Sequence, residues 1–311
     1  MQTLAVVMDA PESLSLQHLE LCALGDADVL IEIEFSGIST GTERLLWTGR
    51  MPPFPGMGYP LVPGYESVGR IVDAGANARI RMGERVFVPG ASCYKDARGI
   101  FGGAARRVIV PASRAIPVSE TLIEKGVLIA LAATAHHAIA GGKTPDLIVG
   151  HGVLGRLLAR LAVAAGGEAP IVWETNRARH GGASGYHVVH PDDDDRKDYA
   201  SIYDVSGDSN ILDTLIGRTA KGGEIVLAGF YDKPLSFAFP PAFMRETRIR
   251  VAAEWSPEDL AATTSLIESR TLSLEGLITH CQRAGDAATA YPVAFGDADC
   301  LKMILDWRDV A

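Results

Sequence analysis

The sequence predicts an α/β protein in two parts, a strand-rich barrel followed by a doubly wound parallel sheet. Three observations carry this expectation. The first third of the chain breaks into short β-like runs separated by Gly, Pro and Asn. From about Ser119, apolar strands alternate with helical patterns. Among these, a glycine-rich turn, Gly150-His151-Gly152-Val153-Leu154-Gly155, joins the apolar strand Leu147–Val149 to the helical pattern Val153–Ala165.

In chain order, Val29–Phe35 alternates with acids at Glu32 and Glu34, as a half-buried strand does. Ser67–Asp73, Arg85–Pro89 and Arg107–Val110 read as further strands. A helix is predicted over Leu122–Gly141, followed by strands Leu147–Val149, Ile171–Trp173, Tyr186–Val189, Ile202–Val205 and Glu224–Ala228, with helix Asn210–Thr219 before the last. Leu235–Phe239 and Arg248–Ala253 read as two strands added at the sheet edge. Helix Pro257–Arg270 begins with a proline, which suits a first turn. The last segment is mixed and is predicted to end in a helix, Ala298–Trp307. The acid run Asp192–Asp195 reads as a solvated loop or helix start. These elements divide the chain into a first domain of residues 1–118 with 272–311 and a second of 119–271.

The turn is G-x-G-x-x-G in strand–turn–helix context. Gly150 permits a tight turn, Gly152 lets backbone approach a pyrophosphate, and Gly155 lets the helix pack against the strand. His151, Val153 and Leu154 fill the remaining positions, and the helix N-terminus faces the anion. A second apolar strand, Ile171–Trp173, ends in Glu174, nineteen residues after Gly155. A carboxylate there accepts from an adenosine ribose and repels a 2′-phosphate, so the cofactor reads as NAD. Arg177 is the counter-signal, because a nearby cation would accept that phosphate.

The 311 residues carry 29 Lys and Arg against 38 Asp and Glu, a net charge of −9. That balance argues against nucleic acid or an anionic membrane as a main partner, since both need clustered cations. Cys22, Cys93, Cys281 and Cys300 form no closely spaced pair and read as free thiols in a reducing compartment. The N-terminus has no basic leader, and Val127–Ala140 is interrupted by Thr134, His136 and His137, so no transmembrane segment is expected. The protein is expected to be cytoplasmic, and a homodimer built by sheet extension at the edge strands after Leu235.

The order of parts resembles the medium-chain dehydrogenases/reductases. The match lies in Gly58–Gly90, which contains Pro60-Leu61-Val62-Pro63-Gly64-Tyr65-Glu66-Ser67-Val68-Gly69 and Met82-Gly83-Glu84-Arg85-Val86-Phe87-Val88, and the glycine turn and Leu277-Ile278-Thr279-His280 also resemble that family. That family reads Pro-x-x-x-Gly-His-Glu-x-x-Gly-x-Val and Gly-Asp-Arg-Val. The resemblance implies a GroES-like β-barrel catalytic domain plus a Rossmann domain. It also implies a catalytic zinc held by Cys, His and a third Cys or Glu. Here those positions read Ser39, Tyr65 and, near the third, Ala132. Hydroxyl, phenol and methyl are not zinc ligands, and Cys93 stands alone where a structural-zinc lobe needs four thiolates, so no metal is expected.

A narrower resemblance lies in Ser36–Arg44, Met51–Met57 and the glycine turn. These look like a bacteriochlorophyll-pathway dehydrogenase family. It implies oxidation of the 3-(1-hydroxyethyl) group of a (bacterio)chlorophyllide to an acetyl group, a tetrapyrrole substrate. Without zinc, a side chain must take or relay the alcohol proton. Tyr65 is placed to hydrogen-bond the substrate oxygen, or else fills the space zinc would leave. Thr42, and after it Ser39, are the candidates for relaying the proton. Glu66 is assigned a structural role beside them, and His137 is a candidate for touching substrate or cofactor. The apolar loop with Trp47, Phe54, Met57 and Tyr59 is a candidate cover for a flat macrocycle, and Arg44 or Arg50 for its propionate. Two other functions fit the same sequence: a zinc-free quinone or enone reductase, and a non-catalytic dinucleotide-binding subunit.

Overall fold

The structure, a computed structural model, describes residues 1–310. The chain forms two compact units, Met1–Ala130 with the chain from Leu277 onward, and Leu131–Gly276.

The first unit is built around strand Asp28–Ile38. The alternation seen in its sequence is realised: Val29, Ile31 and Ile33 are fully buried, while Glu32 and Glu34 stay half-buried. It pairs antiparallel with Ser67–Ala74, Arg107–Pro111 and Met303–Asp306. The register with Ser67–Ala74 sets Ser36 opposite Ser67, and the Gly37 N–H continues the ladder to the Glu66 carbonyl at 2.7 Å. The residues just beyond that end, Ser39 on one strand and Tyr65 on the other, are thereby brought together.

The C-terminal segment differs from expectation. Met303–Asp306 is a strand, parallel to His280–Arg283, not part of a helix. Met303, Ile304 and Leu305 are all buried, and a short apolar run gives no periodicity to separate strand from helix. The helix lies earlier, at Ala287–Gly296, with Pro292 inside it.

The second unit is a six-stranded parallel sheet of strands Leu147–Val149, Ile171–Trp173, His187–Val189, Tyr199–Asp204, Thr219–Leu227 and Arg248–Val251. Counted in chain order, they lie as third, second, first, fourth, fifth, sixth. The strand order reverses between the first and the fourth, where a doubly wound sheet binds its ligand. Leu235–Phe239 is not an edge strand. Pro240 and Pro241 cannot donate to a ladder, and they open a helix, Phe239–Arg245. Arg248–Val251 is the edge strand. Asp194 in the acid run is not simply solvated: it accepts from Trp173 Nε1–H at 2.7 Å and from the Tyr199 hydroxyl at 2.6 Å.

The helix predicted over Leu122–Gly141 is a 3₁₀ stretch, Glu120–Leu128, broken at Ile123 (φ +43°), leading into Ile129–Ile139. Together, Glu120–Ile139 reaches a membrane-crossing length and apolarity, which the sequence reading did not anticipate. Its residues from Val127 to Ala133 are buried except Leu131, as in a core helix.

Candidate active site

In the first unit, Ser39 Oγ and the Tyr65 hydroxyl are 2.7 Å apart. Thr42, the first residue of helix Thr42–Trp47, also hydrogen-bonds Tyr65. The phenol ring stands edge-on to Phe101, centroids 5.2 Å apart. Burial, reinforced by the Glu66 charge, pushes the Tyr65 phenol far above its ordinary range. It therefore stays protonated at neutral pH.

Glu66 is fully buried and paired with Lys302, whose Nζ lies 2.7 and 3.1 Å from its two carboxylate oxygens. The same ammonium donates to the Ile38 carbonyl at 3.1 Å. This ion pair ties the chain ahead of strand Met303–Asp306 to both strand ends that carry Ser39 and Tyr65. Three members of this cluster escaped the sequence reading: Lys302, Glu43 and Tyr291. Glu43 Oε1 accepts the Ser39 N–H at 3.1 Å and Oε2 accepts the Tyr291 hydroxyl at 2.9 Å. The available signals were an acid and a lysine next to apolar runs, Leu45-Leu46 and Met303-Ile304-Leu305.

The apolar loop is two-sided. Trp47, Met57 and Tyr59 pack on the core of their own unit, and the Tyr59 hydroxyl donates to the Leu46 carbonyl. Phe54 is exposed. Arg50 is exposed too, its Nε donating to Thr48 Oγ1 at 3.1 Å.

In the second unit the glycine turn follows strand Leu147–Val149. Gly150 adopts φ +105°, which L side chains rarely take. A methyl group on Gly155 would collide with the Gly150 carbonyl oxygen, so the close helix–strand approach requires glycine. Gly152 faces open space at the start of helix Val153–Ala164, leaving room for an anion beside the helix N-terminus. Val153 is buried under the helix and Leu154 half-buried.

His151 turns inward. Its side chain is fully buried, with Nδ1 2.7 Å from the Arg179 carbonyl and Nε2 2.9 Å from the Tyr186 hydroxyl. A carbonyl only accepts, so Nδ1 carries the proton and Nε2 accepts from Tyr186. Burial holds its pKa down at about 4. Glu174 is fixed by two backbone donors, the N–H of His151 at 3.2 Å and of Asn176 at 2.8 Å. Arg177 reaches the other way, to Asp193 at 2.9 Å. His137 Nδ1 donates to Asp259 at 2.7 Å, and His136 Nδ1 to the other oxygen of the same carboxylate at 2.8 Å.

Residues 25–120 match the alcohol dehydrogenase GroES-like domain family. A solved short chain alcohol dehydrogenase of Escherichia coli, complexed with NADH, superposes with a TM-score of 0.84 at 20% identity, covering 98% of this chain and 99% of that one. A Sinorhizobium meliloti structure bound to NADP gives 0.83 at 21%, covering 99% and 100%. At such identities these show the fold. A 2-desacetyl-2-hydroxyethyl bacteriochlorophyllide A dehydrogenase of Cereibacter sphaeroides is 58% identical, covering 100% of both chains. The chain belongs to the bacteriochlorophyllide A dehydrogenase family.

This dehydrogenase is an oxidoreductase of the medium-chain type, and its donor set bears on the metal chemistry of that larger group. Ser39 and Tyr65 spend their hydroxyls on each other. The residues do not fit zinc. The glycine turn, by contrast, fits a dinucleotide: an open Gly152, a helix N-terminus and a Glu174 carboxylate held by two backbone N–H groups.

Proposed function

We propose that this dehydrogenase oxidises the 3-(1-hydroxyethyl) group of a bacteriochlorophyllide to acetyl, with NAD as acceptor and without zinc. The observation that carries the reading is the Ser39–Tyr65 hydroxyl pair at the positions where a zinc site would need thiolate and imidazole. The full-length identity to the Cereibacter sphaeroides protein supports the substrate.

A bound nicotinamide dinucleotide supplies the hydride acceptor. The alcohol proton is left to this chain. Tyr65, kept protonated by burial, hydrogen-bonds the substrate oxygen and, as it takes the alcohol's proton, passes its own to Thr42 or Ser39, which releases a proton in turn to water. Glu174 selects NAD, since a 2′-phosphate would meet a fixed carboxylate while Arg177 is drawn to Asp193. Phe54 on the exposed side of its loop contacts the macrocycle, with Trp47, Met57 and Tyr59 backing the loop and Arg50 meeting a propionate. His137 is held by Asp259 and acts in positioning rather than in proton transfer.

A homodimer forms by sheet extension at Arg248–Val251, the open edge, whose neighbouring surface exposes Val251, Phe243 and Met244. The protein acts in the cytoplasm, a location supported by four cysteines that form no disulfide, two of them exposed. The acidic balance of the chain supports a small-molecule partner over nucleic acid.

The test is NADH formation by chelator-treated protein given NAD and a 3-hydroxyethyl bacteriochlorophyllide. NADH appearing together with the pigment's shift to an acetyl spectrum is expected. No turnover with NAD still bound overturns the reading and favours an NADPH-dependent enone reductase.

A further inference from the structure

Glu43 is the second residue of helix Thr42–Trp47 and is fully buried. It touches the hydroxyl pair through the chain itself, since its Oε1 accepts the N–H of Ser39. Its Oε2 meets Tyr291, a fully buried residue on helix Ala287–Gly296. The charged and titratable groups around it are Glu66 and Tyr65 from the chain before strand Ser67–Ala74, Lys302 from the chain before Met303–Asp306, and Tyr291. Two carboxyl groups and one ammonium are therefore buried together. The ammonium bonds Glu66, with its Nζ 2.7 Å from that carboxylate, and both Glu43 oxygens are occupied by neutral donors.

That arrangement leaves Glu43 with a choice of states. Ionised, it accepts from Ser39 and Tyr291 and makes the cluster net negative. Protonated, it donates to the Tyr291 oxygen, keeps the Ser39 N–H on its other oxygen, and leaves the cluster neutral. Burial, then the Glu66 charge, push its pKa up to about 8, against the opposing pull of the Ser39 and Tyr291 hydrogen bonds and of Lys302.

We propose that Glu43 is a positioning residue for the Ser39–Tyr65 pair, fixing Ser39 through its backbone N–H and setting, by whether its Oε2 beside Tyr291 carries a proton, the charge against which the pair takes the alcohol proton and releases one of its own. A negative Glu43 stabilises the extra proton the pair holds while Tyr65 takes the alcohol's proton and releases its own, so proton transfer out of the substrate is easier when Glu43 is ionised. The kinetic consequence rests on the dehydrogenase reading above; the coupling between Glu43 and Tyr65 does not.

The coupling is tested on the full chain without ligands, by pH-difference infrared spectroscopy. A protonated-carboxyl band is expected to vanish as pH rises through about 8, together with a shift of the Tyr65 ring band identified by Tyr65→Phe. Glu43→Gln removes both changes, and Tyr291→Phe moves the midpoint upward by about one pH unit, because a hydrogen bond favouring the carboxylate is gone. The second readout is the pH profile of pigment oxidation with NAD. Wild-type kcat rises about tenfold per unit below the same midpoint, and Glu43→Gln flattens that limb to less than about twofold. A band that persists in Glu43→Gln, or a Tyr65 band indifferent to it, overturns the proposal. If Glu43→Gln does not fold, an unmoved midpoint in Tyr291→Phe overturns it equally. Intact infrared coupling with no turnover at any pH leaves the coupling standing and removes the functional reading instead.

Discussion

Ser39 Oγ lies 2.7 Å from the Tyr65 hydroxyl because the ladder that sets Ser36 opposite Ser67 brings two strand ends together. The pair is a unit, and its members are expected to fail as one. Tyr65→Phe should lower kcat for pigment oxidation by about 10²-fold, the range for a lost proton-transfer group. Ser39→Ala should lower it less, because Thr42 offers Tyr65 a second hydroxyl. The double variant should be no slower than Tyr65→Phe alone. Steady-state kinetics on the three proteins decide this, and full additivity would show two independent roles.

Much of this architecture was legible in the sequence, for identifiable reasons. The alternation of Val29–Phe35 and the strand–turn–helix around Gly150 are local patterns, and both fold locally as they read. The errors fell where local pattern competes with distant pairing. Met303–Asp306 is a strand only because Asp28–Ile38 and His280–Arg283 flank it. Phe239 starts a helix because two prolines follow it. The hydroxyl pair was legible from the residues that replace zinc ligands. The Glu43–Tyr291 and Glu66–Lys302 contacts join positions more than 200 residues apart, and no single-chain periodicity encodes such a meeting.

Glu174 is held by two backbone N–H groups at the end of strand Ile171–Trp173, so its carboxylate is fixed before any ligand arrives. Glu174→Gln should weaken NAD by about tenfold, the loss of one charge-assisted hydrogen bond, and should narrow the preference for NAD over NADP. Titration of both nucleotides by protein fluorescence measures it. Equal affinity for NAD and NADP in the wild type would refute the assignment.

His151 gives the fold a pH dependence with a definite sign. Its folded-state pKa is depressed from 6.5 to about 4 by burial. The unfolded chain therefore binds a proton that the folded chain refuses. The associated stability is present above pH 6.5 and is lost as pH falls toward 4. That depression corresponds to about 3 kcal/mol. Urea unfolding between pH 7 and 4 should show this slope in the wild type and a shallower one in His151→Asn. Identical slopes would assign the dependence to other groups.

Asp259 acts in a separate, more acidic window. Burial alone would raise its pKa, but hydrogen bonds from the Ser256 N–H, His136, the Ser256 hydroxyl and His137 together hold it well below the ordinary 3.8. The carboxylate's contribution is thus complete at neutral pH and is lost as pH falls below about 4. Asp259→Asn should cost about 1–2 kcal/mol at pH 7, through weakened bonds to both histidines and the helix cap. It should also remove the acid slope below pH 4. Retention of that slope in the variant would exclude Asp259 as its source.

Phe54 and Met57 stand three residues apart on opposite sides of one loop, so the same substitution should read differently at each. Met57 packs on the core of its unit, and Met57→Ser should lower Tm. Phe54 is exposed, so Phe54→Ser should leave Tm unchanged. If the macrocycle covers its ring, even half of a phenylalanine's burial is about 1 kcal/mol, and KM for the pigment should rise about fivefold with the NAD affinity untouched. An unaltered KM in Phe54→Ser would place the pigment elsewhere on the protein.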